Sequence, residues 1–446
     1  MATFETFPNE VLIQILQYLP LRDKLRAEMV CKQWKDAIRS LNQRTMLLRI
    51  GESHFRSYKV VEKYKCDDKE HQTLDTNCAT VKCTLDAVKA IRRFNKIKTL
   101  AIELNHLSNL ADILPTIGHS CSDLEHIEFK CNEGVLTDQL MQSLLEVINE
   151  KVKHFILINQ YRHFFEHSFG NESARRLFQR CPNLEMLVLD EKTWVDIDGL
   201  SYLPLTVTHL FIPWVPFTEE ILNSLSFQMH AMQSLEIGFV TDQILQLVCE
   251  FENLTTFLLR NVKIDSPKSL LLLCKLKYLK SLQIHFADYK INIDEVLLQV
   301  LNYCSQLRRF CIYGANITDK CVSMMSQLCP QLEVIELDFG RRKISDESIY
   351  SLFNLKTLRI LTIPFTAVTD EAICDLLMHC KQLEYIDVSG CTQITKQTFD
   401  TIVMKAEKYP HKVFTLGILN PMIYELMEKP PNLRLLHVDK FNFLNR

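Results

Sequence analysis

Apolar residues recur along most of the chain in the pattern L-x-x-L-x-L, in which the first, fourth and sixth positions are apolar. Its clearest copies begin at Leu184, Leu332, Leu358 and Leu383, and weaker copies begin at Ile97, Leu124, Val152, Val207, Met232, Leu254, Leu279, Leu307, Val413 and Leu433. Successive copies begin 20 to 32 residues apart. The second and third apolar residues of each copy alternate with variable ones, which is typical of a strand with one buried face. The pattern predicts an array of fourteen such strands.

A helix is predicted after these strands, because a hydroxyl residue followed by Asp recurs downstream of five of them. The pairs are Thr137 with Asp138, Thr241 with Asp242, Thr318 with Asp319, Ser345 with Asp346, and Thr369 with Asp370. We interpret them as the N-cap and first-turn residues of helices, whose oxygens accept from the free N–H groups of the helix start. Apolar residues then follow at helical spacing.

Five copies close with a cysteine three residues before the next strand leucine, at Cys121, Cys181, Cys304, Cys329 and Cys380. The 16 cysteines of the chain form no C-x-x-C pair. We interpret them as reduced thiols that pack as small buried residues at helix ends. A metal site is less favoured, because stacked repeats hold these thiols too far apart to share an ion.

This alternation of strand and helix, at about 26 residues per unit, resembles the leucine-rich repeat and in particular its cysteine-containing subtype. Residues 383–395 nearly match that subtype, whereas Val215, Val240 and Ala287 replace its usual Cys or Asn. The resemblance covers about three quarters of the chain. It implies an α/β fold, a horseshoe solenoid with parallel strands on the concave face and helices on the convex face.

The N-terminal segment has a different pattern. Leu12, Ile15, Leu16 and Leu19 are spaced as one stripe of a helix that Pro20 ends. Two further short helices are predicted, one with Leu25, Met29 and Val30 and one with Cys31, Trp34, Ile38 and Leu41. A three-helix module of this size cannot bury all of its apolar residues by itself, which predicts a partner.

Residues 7–34 resemble the F-box. The positions that match the adaptor-binding residues of that family are Phe7, Pro8, Leu12, Ile15, Leu16, Leu19, Pro20, Leu25, Val30, Cys31 and Trp34. Phe7 stands where Leu is usual, and Lys24 stands where an apolar residue is common. The alternative is a plain three-helix cap of the repeat array. The predicted domains are an F-box at 1–50, a connecting segment or degenerate first repeats at 51–95, and the repeat solenoid at 96–446.

The resemblance implies the substrate-recognition subunit of a Skp–cullin–F-box E3 ubiquitin ligase. The F-box is expected to bind the Skp adaptor and, through it, the cullin and RING subunits, while the repeats bind a protein substrate for ubiquitination and proteasomal degradation. The chemistry then belongs to the ubiquitin-conjugating enzyme, so the chain is expected to be no enzyme and to need no cofactor. The alternative is an F-box scaffold, or an interaction module, without a role in degradation.

The strand register names a candidate substrate surface, formed by side chains that alternate with the core leucines. Its members are Ile156, Ile158, Met186, Val188, His209, Phe211, Trp214, Leu258, Arg260, Arg309 and Tyr313. Apolar and aromatic anchors of this kind are typical of protein-binding hot spots. The alternative is that these side chains pack against an irregular loop such as residues 159–180.

Composition narrows the function further. Only 10 of 446 residues are glycine, and no phosphate-binding glycine loop can be written. We relate this shortage to repeat corners that have little need of positive-φ glycines. A net charge of −3 disfavours nucleic acid as a partner. Without a signal-peptide pattern or a long apolar run, we expect a cytoplasmic or nuclear protein with no membrane contact. Residues 163–167 spell H-x-x-E-H, which we interpret as a surface loop and not a zinc site.

Overall fold

The structure is a computed structural model that describes residues 8–17, 27, 30–44, 47–50, 78–81, 88, 90–92, 97–104, 110–131, 138–159, 169–190, 195–287, 291–338, 343–418 and 429–436. The chain divides into two units. The first unit contains Met1–Pro216 and Asn223–Met232, and the second contains Phe217–Leu222 and Gln233–Arg446.

Two N-terminal helices of the first unit form a small core. Helix α1 (Asn9–Gln17) begins where the carbonyl of Pro8 accepts from the N–H groups of Val11 and Leu12, and helix α2 is Lys32–Arg44. The core is formed by Leu12, Leu16, Ala27, Ala37 and Ile38, with Ile13 and Trp34 packed against it. The first and third predicted helices correspond to α1 and α2, and most of the predicted second helix lies outside the described residues.

The rest of the first unit is a parallel sheet with helices between its strands. The strands are β1 (Leu47–Ile50), β2 (Cys78–Val81), β3 (Thr99–Leu104), β4 (His126–Cys131), β5 (His154–Asn159), β6 (Met186–Asp190) and β7 (His209–Pro216). The helices are α3 (Leu110–Ser120), α4 (Asp138–Val147), α5 (Asn171–Arg180) and α6 (Ile197–Leu200); α7 (Glu219–Ser224) contains residues of both units.

Strand order in this sheet departs from chain order at one place. Strand β1 pairs in parallel with both β2 and β3, and β3 to β7 then follow in sequence. Only two residues separate α2 from β1. Residues 47–50, which the sequence analysis assigned to the F-box span, therefore form a strand inside the sheet. The domain limits themselves stay a prediction.

The second unit repeats the same parallel arrangement from β8 to β16 in chain order. Its strands are β8 (Ser234–Gly238), β9 (Thr256–Val262), β10 (Ser281–Phe286), β11 (Arg309–Tyr313), β12 (Val334–Leu337), β13 (Ile360–Thr362), β14 (Tyr385–Asp387), β15 (Phe414–Gly417) and β16 (Leu433–Leu436). Its α-helices are α8 (Asp242–Val248), α9 (Asp294–Tyr303), α10 (Asp319–Leu328), α11 (Asp346–Ser351), α12 (Asp370–His379) and α13 (Lys396–Lys408), joined by 3-10 helices at Pro267–Lys275 and Leu352–Asn354.

Each predicted copy of the apolar pattern contains one of the strands β3 to β16, which begins no more than two residues after the start of the copy. The residues at the apolar positions, such as Leu187, Leu189, Ile335 and Leu337, are buried. The predicted leucine-rich-repeat architecture of parallel strands separated by helices is therefore confirmed.

The hydroxyl and Asp pairs begin helices as predicted, but most of the hydroxyls bond elsewhere. Helices α8, α10, α11 and α12 begin at the predicted Asp, and Thr241 caps its own helix by accepting from the N–H of Ile244. The side chains of Thr318, Ser345 and Thr369 make no such cap. They donate instead to the Asp that lies in the first turn of the preceding repeat's helix. These three residues therefore occupy the N-cap position as predicted, but the prediction that their oxygens accept from the free N–H groups of the helix start is wrong.

These bonds form a carboxylate ladder in the second unit, which we define as Asp294, Asp319, Asp346 and Asp370. Each carboxylate accepts from the backbone N–H and the hydroxyl of the residue that precedes the next helix, at Thr318, Ser345, Thr369 and Thr395 respectively. Because a charged acceptor strengthens a hydrogen bond, the ladder joins successive repeats through polar contacts beside the apolar core.

The repeated cysteines are buried free thiols, as predicted. Four of these thiols also lie beside backbone carbonyls at the end of the preceding repeat's helix, where they can donate hydrogen bonds. The thiol of Cys329 donates to the carbonyls of Leu301 and Cys304 at 3.5 and 3.7 Å. Burial raises the pKa of this thiol to about 12, so it keeps the proton that it donates. Cys181, Cys304 and Cys380 make equivalent contacts.

The sequence analysis related the shortage of glycine to repeat corners that have little need of positive φ, and this explanation is wrong for the second unit. The residue two positions after the last apolar strand residue has positive φ at five corners: Phe239, Asn261, Gly314, Phe365 and Gly390. Three of these five are not glycine, so the chain tolerates left-handed backbone where glycine would be usual. A Cβ at Gly390 would overlap the Phe365 ring.

Candidate functional site

The N-terminal helices present apolar side chains outward although their own core is closed. Leu12 and Leu16 are only 2% and 0% exposed, because they face the interior of the module. Val11, Ile15 and Val30 are 38%, 48% and 59% exposed. We define these three residues as the exposed apolar surface of the helical module. Apolar surface that remains exposed beside a closed core is a feature of protein-binding sites.

The other predicted adaptor-binding residues are exposed or half-buried, or they lie outside the described residues. Pro8 is exposed, Cys31 is half-buried, and Trp34 is half-buried against the module's core. Phe7, Leu19, Pro20 and Leu25 lie outside the described residues. Sequence reasoning missed Val11, although its spacing of four residues from Ile15 could have identified it as a helical neighbour.

The strand face of the first unit carries several of the predicted substrate-binding residues. Ile156, Val188 and Phe211 occupy one row across β5, β6 and β7. These three and Ile158 are at most 9% exposed, so they offer little surface to a partner in this conformation. The alternative of packing against loop 159–180 stays open, because residues 160–168 lie outside the described residues.

A second row on this face keeps partly exposed side chains. The parallel register places His126, His154, Met186 and His209 in this row on four successive strands. Beyond the row, the indole N–H of Trp214 donates to Asp190 Oδ1 at 3.2 Å. Met186, His209 and Trp214 are half-buried, so they are the predicted residues of this unit that stay accessible.

Two histidines of that row contact each other directly. The Nδ1 atoms of His126 and His154 are 2.8 Å apart, and the two rings meet edge to face with centroids 4.2 Å apart. The Nε2 atom of His154 lies 3.9 Å from Glu185 Oε2, and Lys153 forms an ion pair with the same carboxylate at 2.9 Å.

The strand face of the second unit carries charge pairs instead of apolar anchors. Arg260 donates to Glu236, which is fully buried. Glu336 accepts from Arg309 Nη2 and from the Tyr313 hydroxyl, both at 2.5 Å. Burial, reinforced by the Glu336 carboxylate, raises the pKa of the Tyr313 hydroxyl well above its usual value, so the hydroxyl stays a donor.

Arg260, Arg309 and Tyr313 are half-buried, whereas Leu258 is 1% exposed. The Tyr313 ring also stacks on His285 with centroids 4.1 Å apart. The predicted residues of this face that stay accessible are therefore aromatic or cationic, and each of the two guanidinium groups is paired to a carboxylate.

The described residues were also searched for groups of metal-binding side chains and for helices that could span a membrane. Within the described ranges, no three His, Cys, Asp or Glu side chains come together as a ligand set for a metal ion. The H-x-x-E-H motif at 163–167 lies outside those ranges. None of the helices in the described part of the chain combines the length and the apolar character that crossing a bilayer requires.

Comparison with known proteins identifies similarities for both parts of the chain. An F-box-like family model matches residues 4–44. F-box/LRR-repeat protein 12 of Bos taurus is 47% identical over 38 residues, which cover 8% of this chain and 12% of that protein. The chain thus matches about an eighth of the length of this curated relative.

Two solved structures are similar to the chain at low sequence identity. The crystal structure of the Rad7 and Elc1 complex in yeast has a TM-score of 0.44 and 16% identity, covering 61% of this chain and 84% of that chain. The TLR13–ssRNA13 complex has a TM-score of 0.40 and 13% identity, covering 78% of this chain and 50% of that chain.

Proposed function

We propose that this chain, an F-box/leucine-rich-repeat protein by its F-box-like domain and its repeats, is the substrate-recognition subunit of a Skp–cullin–F-box E3 ubiquitin ligase. In this proposal the F-box-like domain binds the Skp adaptor and, through it, the cullin and RING subunits. The repeats bind a protein substrate, which is ubiquitinated and degraded by the proteasome.

The observation that carries the proposal is the exposed apolar surface of the helical module. Fully burying an exposed side chain of this size contributes about 1.5 to 3 kcal/mol, and because these side chains are 38 to 59% exposed, a partner that covers them gains about half of that for each, before the costs of association are subtracted. Val11 and Ile15 lie one helical turn apart on α1, so a single partner can cover both. A docking role explains why these residues are exposed, whereas a simple cap of the repeats gives no reason for their exposure.

The buried and the exposed residues of the module have different roles in this proposal. Ile15 and Val30 contact the adaptor directly. Leu12 and Leu16 hold α1 against the rest of the core, and thereby fix the position of the exposed surface. The direct adaptor contact predicted for Leu12 and Leu16 stays a prediction. A charge placed at Leu16 would therefore disrupt the fold of the module as well as any contact with the adaptor.

The repeats supply recognition and no catalytic group. Members of this family are generally non-catalytic, and the ubiquitin-loaded conjugating enzyme supplies the chemistry. Holding a substrate beside that enzyme raises the effective concentration of substrate lysines near the thioester. The accessible strand-face residues Met186, His209, Trp214, Arg309 and Tyr313 are the proposed substrate contacts.

The test is affinity purification of the tagged chain from cells, followed by mass spectrometry. We expect wild-type chain to recover the adaptor and the cullin together, and Ile15→Asp to recover neither. Phe227→Asp is the matched control, because Phe227 is 84% exposed but lies in the repeat region. Recovery of adaptor and cullin by Ile15→Asp at the wild-type level would refute the proposed docking surface.

The ligase role needs a second measurement. At least one co-purified protein should have a longer half-life when the chain is depleted, and wild-type chain but not Ile15→Asp should restore its turnover. If adaptor and cullin are recovered but no bound protein changes its half-life, the chain acts as a scaffold and not in degradation.

A further inference from the structure

We propose that the edge at which the strands of the second unit begin binds a short acidic segment of a protein. This inference gives the substrate a chemical class, and it rests on the proposed function only in calling that partner a substrate. Parallel strands begin at the same edge of a sheet, so residues at the start of each strand lie side by side. We define the basic edge by six residues at or just before these starts: Lys280, Arg308, Arg309, Arg359, Lys412 and Arg434.

The basic edge has an excess of positive charge, although the chain as a whole carries a net charge of −3. Three carboxylates pair with four of its cations, as Arg308–Glu333, Arg309–Glu336, Arg359–Glu384 and Lys412–Glu384. Glu384 is thus shared between two cations. The side chains of Arg308 and Arg359 stay 46% and 52% exposed in their pairs, so their charge remains accessible to an anionic ligand.

Acidic residues at the other ends of these strands do not offset this charge. Asp338 follows β12 and Asp387 ends β14, and they are only 6% and 0% exposed, so neither is accessible to a partner. Lys356 and Lys381 are exposed in the turns that precede β13 and β14, and they add positive charge beside the basic edge. The accessible charge here therefore complements an acidic partner.

An uncharged row lies between cations of this edge on the strand face. The parallel register orders six residues of β11 to β16 in one row: Arg309, Val334, Ile360, Tyr385, Thr415 and Arg434. The four uncharged members are half-buried, so part of each side chain can contact a partner. At about 4.8 Å per strand the row spans about 24 Å, which is the length of about seven extended residues. It therefore fits a short segment with apolar side chains at its centre and carboxylates at its ends.

The mixture of side chains favours a peptide over a nucleic acid. A nucleic acid carries a negative charge at every nucleotide, and Glu333 and Glu384 would repel some of these charges. Val334 and Ile360 offer aliphatic surface, whereas bases of single strands bind by stacking on aromatic side chains. A peptide can place carboxylates against the guanidinium groups, with which they form strong charge-assisted hydrogen bonds, and aliphatic groups between them.

The test is fluorescence anisotropy of a labelled peptide with the purified full chain, at low salt and at about 0.3 M salt. The probe is Leu-Val-Phe flanked on each side by Glu-Asp-Glu, and the control probe carries the corresponding amide in place of every carboxylate. We expect the acidic probe to bind at least tenfold more tightly than the amide probe, and to lose affinity as salt screens the exposed charges. Equal binding of the two probes, or no binding of the acidic probe at low salt, would overturn the proposal.

Charge reversal locates the binding surface. The double variant Arg359→Glu with Arg434→Glu should bind the acidic probe at least tenfold more weakly, and Ile360→Asp should have a similar effect. Lys320→Glu is the matched control, because it makes the same change of charge at an exposed position of α10, and it should bind as wild type. Circular dichroism reports folding. If Ile360→Asp loses its fold, the double variant still decides, because Arg359 and Arg434 are exposed.

The outcomes separate this inference from the proposed function. Ile15→Asp should bind the acidic probe as wild type does, because α1 is no part of the basic edge. Equal binding by wild type and the double variant would overturn the basic edge and leave adaptor binding untouched. Tighter binding of a single-stranded oligonucleotide than of the acidic probe, lost in the double variant, would overturn the assignment to a protein segment.

Discussion

Replacing Asp370 by Ala tests the carboxylate ladder at its most buried contact. The Asp370 carboxylate accepts from the N–H and the hydroxyl of Thr395 at 3.0 and 2.6 Å, and from those of Thr398 at 3.2 and 2.6 Å. Thr395 is exposed, so water can replace its lost partner, but Thr398 is fully buried. Two buried donors at about 1 to 3 kcal/mol each predict a loss of about 2 to 6 kcal/mol in the free energy of unfolding.

The assay is urea unfolding followed by far-ultraviolet circular dichroism, with hydrogen exchange to locate the effect. Asp375→Ala is the matched control, because Asp375 lies exposed on the same helix and its loss should change stability by no more than about 0.5 kcal/mol. Exchange should increase in β14 and α13. Adding Thr398→Val to Asp370→Ala removes one orphaned hydroxyl and should recover about 1 kcal/mol. Equal stability of the two Asp variants would refute the proposed role of the ladder.

The pH dependence of stability gives the same test a second readout. Burial opposes ionisation of Asp370, but the hydrogen bonds from Thr395 and Thr398 outweigh it and lower the carboxyl pKa below the ordinary value of 3.8. As the pH falls, the unfolded chain takes up this proton before the folded chain does. The contribution of Asp370 to stability is therefore complete well above pH 3.8 and is lost as the pH falls through the lowered pKa. Asp370→Ala lacks this part of the acid sensitivity.

Three further predictions concern single positions. Burial lowers the pKa of Lys405 to about 8, so the unfolded chain binds this proton more tightly than the folded chain does. The free energy of unfolding of the wild type, relative to that of Lys405→Met, should therefore rise by about 1 kcal/mol between pH 8 and 9.5. A difference that stays flat over this range would contradict the prediction. Phe239→Gly should change the melting temperature little, because relief of positive φ offsets the loss of a ring that is 43% exposed. Phe365→Gly should lower the melting temperature clearly, because the half-buried Phe365 ring packs over Gly390 of the next repeat; equal changes in the two variants would contradict this. Leu16→Asp should reduce the helical circular dichroism of the N-terminal module, measured on the full chain against Ile15→Asp, and equal spectra would contradict the interior placement of Leu16.

The repeats could be predicted from sequence because their information is local. A strand with one buried face imposes a period of two, and fourteen copies of one pattern reinforce each other, so the strand positions were found to within two residues. The starts of helices at Asp242 and Asp319 were found because a hydroxyl residue followed by Asp is typical of a helix start, although Thr241 accepts from a free N–H group there and Thr318 does not.

Contacts between repeats could not be predicted in the same way. Thr318 bonds to Asp294, which lies 24 residues away, so only the register of the fold brings the two side chains together. The burial of Val188 and Phe211 on the strand face also depends on the tertiary structure and not on alternation alone. The insertion of β1 between β2 and β3 left no signal in the apolar pattern.

Sequence reasoning identified the apolar stripe that contains the candidate docking surface, but not which of its residues face solvent. Helical spacing correctly placed Leu12, Ile15 and Leu16 on one broad stripe. It could not separate the side of that stripe that faces the module's core from the side that faces solvent, because Leu16 and Ile15 differ by only about 100° around the helix. Only the packing of α2 against α1 decides this, and it left Ile15 outside with Val11.

The central claim is tested most directly by binding of the purified chain to purified Skp adaptor, measured by isothermal titration calorimetry. We expect wild type and Phe227→Asp to bind alike. Ile15→Asp should bind about a hundredfold more weakly while keeping the wild-type melting temperature, since the lost apolar contact and the cost of covering an unpaired charge together amount to about 2.7 kcal/mol. Wild-type affinity in Ile15→Asp, or no binding by the wild-type chain, would contradict the account.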